Sequence, residues 1–299
     1  MAKDLVIGAA SNYDWNHLKY WVNSIKKTGF KGDIVIVATN MSGETLNKLI
    51  EQNVKVFAYG KRSEDGGIHK SENNIPPHVE RFLFIWDFLR KHKEQESYRY
   101  VTVTDTRDVI FQKNPVEYLQ NHLVCRSTIV ASSEGLKYKD EPWGCRNFQE
   151  TFGPMVFEEY KDELIYNVGV IAGYADDVKD LMIEIFFQSI NRPIPIVDQA
   201  VFNFLIKLES HSSINKIGNM GGWAIQLGTS LLAIESGAGD IGLVCRNDPS
   251  KLEEYKRSYQ DTQPLVEGNL VTNGKVPFHI VHQWDRVPQI KDMVERIYG

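Results

Sequence analysis

Four residues near the middle of the chain, Asp105-Thr106-Arg107-Asp108, combine two carboxylates with a guanidinium. Together they can hold a hard divalent cation and an anionic oxygen side by side. They also suit an Asx-capped turn with a local ion pair. Asn167 interrupts an apolar run, and Asp198-Gln199 open another. Asp198 reads either as a carboxylate beside a reacting centre or as the N-cap of a helix. Near the end of the sequence, His279 and His282 flank Ile280-Val281. On a strand, residues three apart point to opposite faces, so only one of the two histidines can face a given site.

The elements that position these residues can be read from periodicity. Residues 98–104 form an apolar strand that ends at Asp105. Residues 5–10 form another, ending in the small residues Ala9, Ala10 and Ser11. Trp15, Leu18, Trp21, Val22 and Ile25 follow at helical spacing, and Gly29 stops that helix. A strand over 34–39, a Ser42-capped helix and a strand over 54–59 come next. This β-α-β-α-β order implies a doubly wound parallel sheet, whose ligands bind at the carboxyl ends of the strands. Residues 61–77 are polar, with Gly66-Gly67 and Pro76-Pro77, and read as a loop. Val79, Phe82, Leu83, Trp86 and Leu89 then mark a long helix. In the second half the spacing predicts strands over 127–132 and 164–174, a loop over 134–149, and helices over 176–191 and 197–207. A hairpin over 269–278 around Asn273-Gly274 and a terminal helix complete the reading.

Composition excludes several classes. The chain has 299 residues, of which 42% are apolar and 24% charged, so it buries a core and is not disordered. A net charge of -5 argues against a dedicated nucleic-acid binder. Cys125, Cys145 and Cys245 are too scattered for a disulfide scaffold or a cysteine zinc site and fit a reducing compartment. No apolar run approaches the ~18 residues of a membrane span, and the first residues lack the features of a signal peptide. The expectation is a soluble cytoplasmic protein with no nucleic-acid partner.

Residues 100–115, Y-V-T-V-T-D-T-R-D-V-I-F-Q-K-N-P, resemble the metal-binding motif of nucleotide-sugar glycosyltransferases with the GT-A fold. In that family an apolar strand ends in an acidic motif, followed by an apolar pair and often a proline. Three further matches follow in order. Tyr166-Asn167-Val168-Gly169-Val170 resembles the Asn-x-Gly strand where donor and acceptor meet. Asp198-Gln199 resembles the Asp-Gln pair of glycogenin-like retaining enzymes. The tract from His279 to Arg286 resembles the C-terminal segment whose histidine completes the metal site. The resemblance spans nearly the whole chain.

It implies an α/β fold, a GT-A-like doubly wound, mostly parallel mixed sheet flanked by helices, in one domain over 1–299. Residues 1–115 would form the nucleotide-sugar-binding half, and 116–299 the acceptor-binding and metal-completing half. The implied activity is metal-dependent transfer of a sugar from a nucleotide-diphosphate sugar, by analogy a UDP-sugar, to a hydroxyl acceptor with retention. Asp105, Asp108 and His282 would surround Mn²⁺, with Mg²⁺ as the alternative ion and His279 as the alternative ligand. The acids stand three apart with Arg107 between them. Either both reach the metal, or one of them binds the ribose or a neighbouring side chain. Ala9, Ala10 and Ser11 would lie against the nucleotide, and Tyr13 or Tyr59 would stack on its base. Arg81, Asp105 and Arg107 would contact the donor, and Arg286 is a further phosphate candidate. Asp198 and Asn167 would act at the reacting carbon. Trp143, Trp223 and Trp284 are either sugar platforms or core residues. Two other readings compete: a non-catalytic sugar-nucleotide-binding protein on the same fold, and a sugar-phosphate nucleotidyltransferase. Against the second, Ser11-Asn12-Tyr13-Asp14 replaces the expected Gly-rich loop.

Overall fold

The computed structural model describes residues 2–92, 97–124, 127–259 and 263–299. The first part of the chain runs β1 (Lys3–Ser11), α1 (Trp15–Lys27), β2 (Asp33–Thr39), α2 (Gly43–Glu51), β3 (Lys55–Ala58), a short ribbon of β4 (Lys61–Arg62) and β5 (Ile68–His69), then α3 (Pro77–His92). The middle runs β6 (Tyr98–Thr104), β7 (Val109–Phe111), α4 (Pro115–His122), β8 (Ile129–Lys137), α5 (Pro142–Phe152), α6 (Pro154–Tyr160), β9 (Leu164–Tyr174), α7 (Ala175–Ser189) and α8 (Asp198–Leu205). The last part runs β10 (Ile214–Ile217), β11 (Ala224–Gln226), α9 (Leu231–Glu235), α10 (Gly239–Asn247), α11 (Ser250–Ser258), β12 (Leu265–Glu267), β13 (Leu270–Thr272), β14 (Ile280–His282) and α12 (Pro288–Tyr298).

Seven strands form the central sheet in the order β10-β8-β9-β6-β1-β2-β3. All run parallel except β9, which is antiparallel to both neighbours. Both halves of the chain therefore contribute to one sheet. The strands are apolar on both faces because helices cover both. Val6 and Ile36 pack against Leu18, Trp21, Val22 and Ile25 of α1. Leu5, Ile7, Val35 and Val37 face Phe82, Ile85 and Phe88 of α3 and Leu181 and Ile185 of α7. Each such side chain contributes roughly 1.5–3 kcal/mol on full burial. Trp21 also ties α1 to the end of β6, its Nε1–H donating to Thr104 Oγ1 at 2.8 Å. A second sheet, β11-β14-β7, lies over a core of Ile225, Phe278, Val281, Ile290 and Val294.

Two parts of the sequence reading change. Residues 134–149 are not a loop: β8 continues to Lys137 and α5 follows, with Pro142 in its first turn and Glu141 as its cap. Phe148 is the fully buried anchor of that helix, and one anchor over three turns gives little periodic signal. Within 61–77, a ribbon forms because Ile68 is buried and pairs through its backbone with Met41. A hairpin turns at Gly268, whose φ is +63°, and the expected reversal follows it over 273–276, with Gly274 at φ +80° and Thr272 bridging Pro277. Asn273 closes a separate tight turn, its N–H donating to Val276 O at 3.1 Å. Beyond the Thr272–Pro277 bridge, Phe278 N–H donates to Val271 O at 3.1 Å. Cys145 and Cys245 are free thiols, and Cys125 lies outside the described residues. Among the described residues no helix is long and apolar enough to cross a membrane.

Candidate active site

A cleft of about 460 Å³ opens at the carboxyl ends of β1, β2 and β6 and is closed on one side by residues 167–169 of β9. The turn after β6 is fixed from two directions. Asp105 N–H donates to Gly169 O at 2.9 Å, and Thr106 Oγ1 donates to Ala9 O at 3.2 Å. Glycine at position 8 permits this, because a Cβ there would lie 2.3 Å from Thr106 Cγ2 and 2.6 Å from Thr104 O.

β14, paired antiparallel with β7 and parallel with β11, brings His282 to the same turn. Its Nε2 lies 3.5 Å from Asp105 Oδ2 and 3.6 Å from Asp108 Oδ1. The three ligand atoms fall within 4.8 Å of one another, a spacing that suits one cation. His282 Nδ1–H donates to Gln226 Oε1 at 2.7 Å, and Gln226 Nε2 donates to Ser132 Oγ at 2.8 Å. This chain fixes the ring so that Nε2 faces the carboxylates, and it is Nε2 whose proton a bound cation would replace. Burial alone would lower the His282 pKa, but Asp108 and Asp105 outweigh it and push it up to about 10. Burial would raise the Asp105 carboxyl, yet Arg81 and His282 hold it well below the usual range. One buried and one half-buried carboxylate around a buried imidazole thus form a cluster that could hold a cation.

Arg81, on the first turns of α3, pairs with Asp105 and also donates from its Nη2 to Asp198 Oδ2 at 2.8 Å. Asp198 is 4% exposed and occupies the first turn of α8. Its side chain makes no cap bond, so the N-cap reading gives way to the ion pair. Asn167 is buried, with Nδ2 donating to Glu134 Oε1 at 2.8 Å and Oδ1 accepting from Gly169 N–H at 2.7 Å. Arg107 lies at the mouth, 3.5 Å from Asp285 and 3.7 Å from Asp108. Arg286 lies beside Asp285 at 3.6 Å. Ala9, Ala10, Ser11 and Tyr13 line the cleft with them. Burial raises the Tyr13 hydroxyl, which stands in the field of Arg107, Asp105 and Asp108.

Other expected residues lie elsewhere. His279 packs against Tyr118 with its Nδ1 at 3.1 Å from Gly222 O, on the face of β14's approach away from the carboxylates. Tyr59 does not line the cleft; it stacks on Phe84 at 4.0 Å and gives its hydroxyl to Asp87. Trp223 is fully buried beside Tyr118, and Trp284 is buried against Tyr20, so both are core residues. Trp143 does line the cleft. Sequence reasoning missed Gln226, Ser132, Glu134, Phe84 and Gln283. Gln283 alone left a backbone trace, a φ of +58° that lets its N–H reach Asp108 O at 2.7 Å. That strain is visible only in the folded chain.

No protein-family model matches the chain, and no curated protein is similar to it in sequence. Solved structures are similar in fold. The apo bifunctional glycosyltransferase WbbM aligns with a TM-score of 0.54 at 14% identity, over 100% of this chain and 50% of that one. The glycosyltransferase GlyE of Streptococcus pneumoniae aligns with a TM-score of 0.52 at 12% identity, over 100% of this chain and 61% of that one. This chain therefore spans half to about three-fifths of the proteins it matches. The architecture is the GT-A-type glycosyltransferase fold.

Proposed function

We propose that the chain is a metal-dependent glycosyltransferase that moves a sugar from a nucleotide-diphosphate sugar, a UDP-sugar, to a hydroxyl acceptor with retention. One observation carries this reading. Asp105, Asp108 and His282 converge within 4.8 Å at the carboxyl edge of the sheet, in a cleft that also holds Arg81 and Asp198. Two carboxylates and one imidazole fit Mn²⁺ better than Mg²⁺, which prefers an all-oxygen set. When bound, the ion supplies Lewis-acid stabilisation of the charge that grows on the diphosphate leaving group.

The chain's own groups do the rest. Arg107 and Arg286 at the mouth offer guanidinium forks for phosphate oxygens. The small side chains of Ala9 and Ala10 let the nucleotide approach the β1 backbone. Arg81 orients Asp198, which with Asn167 and Gln199 forms the wall nearest the metal ligands. Hydroxyls of the donor sugar or the acceptor bind along that wall. Few cysteines, two of them free thiols, agree with a cytoplasmic setting.

A thermal-shift panel of UDP, GDP, CMP and ADP, each with and without Mn²⁺, tests the reading. Saturation at ~100 times Kd stabilises by about 2.7 kcal/mol, a readable shift. We expect UDP to shift the melt only with Mn²⁺, and Asp105→Ala to remove that shift. A nucleotide response indifferent to metal, or unchanged in Asp105→Ala, would overturn the metal assignment. Metal-dependent binding without transfer to any acceptor or to water would favour the non-catalytic reading.

A further inference from the structure

Glu134 is a buried carboxylate, 5% exposed, and it lies outside the cleft lining. Its Oε1 accepts from Asn167 Nδ2 at 2.8 Å, and the carboxylate also accepts a hydrogen bond from the Gln199 side chain. Both partners do line the cleft, on either side of Asp198. Three elements remote in sequence, β8, β9 and α8, are thus joined through one acidic group. Holding a carboxylate away from water is costly, and burial raises its pKa; the Asn167 amide, His282 and the Gln199 amide act against that rise.

The chemistry of the arrangement is specific. An ionised carboxylate accepts from two amides and has no donor of its own. With its Nδ2 on Glu134 and its Oδ1 on Gly169 N–H, the Asn167 amide is fixed in one orientation. Resting on the transferase reading, we infer that Glu134 is a positioning residue. It accepts from the Asn167 amide and, with Gly169 N–H on the other side, holds that amide in the one orientation it presents to the cleft.

Glu134→Gln and Glu134→Asp provide the test. Glutamine presents an NH₂ group to one of two amide NH₂ groups, so it can hold only one amide in its present orientation. Aspartate keeps the double acceptor on a shorter arm. Donor cleavage is measured with whichever UDP-, GDP-, CMP- or ADP-sugar responds to Mn²⁺, alongside Mn²⁺-dependent nucleotide affinity. In Glu134→Gln we expect kcat to fall by about 10- to 100-fold with nucleotide affinity and donor KM within about twofold. Glu134→Asp should recover part of the loss. Adding Glu134→Gln to the Asn167→Ala/Gln199→Ala background should cost little more, because the groups it acts through are gone. The side-chain amide NMR signals of Asn167 and Gln199 should move in Glu134→Gln. A wild-type kcat in Glu134→Gln, or equal losses in kcat and nucleotide affinity, would overturn the inference while leaving the transferase reading standing. So would Glu134→Asp being worse than Glu134→Gln. A wild-type protein that neither binds nor cleaves any of the donors would overturn the transferase reading itself, and the inference with it.

Discussion

At the scale of single residues, the site depends on groups that never touch the cation. Gln226 holds the His282 ring by its Nδ1–H, and Ser132 holds Gln226. Removing such a support typically costs 10- to 100-fold in metal affinity. Gln226→Ala is therefore expected to weaken Mn²⁺ binding by about that factor, as read by Mn²⁺ titration at a temperature well below the melt of the variant, which loses two buried hydrogen bonds. Gly169→Ala should act more directly. Its Cβ would lie 2.5 Å from His282 Cε1 and 2.9 Å from Asp105 Oδ2, forcing the ligands apart, so metal-dependent nucleotide binding should be lost. Of six residues that line one cleft, Asp105, Asp108, His282, Asn167 and Asp198 were legible as polar residues beside apolar runs and by their motif resemblance, and Arg81 by the resemblance alone. Gln226, Ser132 and Glu134 were not, because their roles arise from pairing among β8, β9, β11 and β14, which no local pattern encodes. Tyr59, Trp223 and Trp284 show the converse limit. An aromatic residue type does not reveal whether the ring faces a ligand or the core.

At the scale of elements, α5 carries the clearest pH signature. Its cap, Glu141, accepts from the N–H groups of Trp143 and Gly144. Burial, with Glu134 adding to it, raises the Glu141 carboxyl from 4.5 to about 7. The folded chain then keeps a proton that the unfolded chain releases above about 4.5, so this cap favours folding most at low pH. Its contribution declines as pH rises from about 4.5 and is fully lost above about 7. Glu141→Gln keeps an acceptor for one of the two helix N–H groups and cannot titrate, so the comparison rests on how its difference from wild type changes with pH. Relative to wild type it should gain stability across that window, by up to about 3 kcal/mol at the alkaline end. Melting curves of both proteins from pH 4 to pH 8 would show the difference widening with pH; a constant gap would refute the linkage. The β-α-β-α-β start was readable because each strand is a continuous apolar run and each helix has an apolar stripe. α5 and the β4-β5 ribbon were missed because each rests on a single buried anchor, Phe148 or Ile68.

At the scale of the whole molecule, the last helix is part of the foundation. Ile290, Met293 and Val294 of α12 complete the core beneath the β11-β14-β7 sheet, and Asn23 of α1 donates to Tyr298 O at 2.9 Å. Emptying such positions costs roughly 2–5 kcal/mol each, against a total stability of about 5–15 kcal/mol. Deleting residues 288–299 should abolish cooperative folding rather than shorten the molecule, as followed by urea unfolding with tryptophan fluorescence. The cation ligands are divided across the same span. Two arrive with the end of β6, and the third arrives only with β14, after every strand of the central sheet has been made. A chain that stops short of His282 carries both carboxylates but lacks the imidazole and α12 as well. Water is the competitor for any activated sugar, and an immature site exposed to solvent would squander it. On the proposed reading, the order of residues along the polypeptide thus acts as a safeguard: the full cation cluster forms only once His282 has joined the two carboxylates.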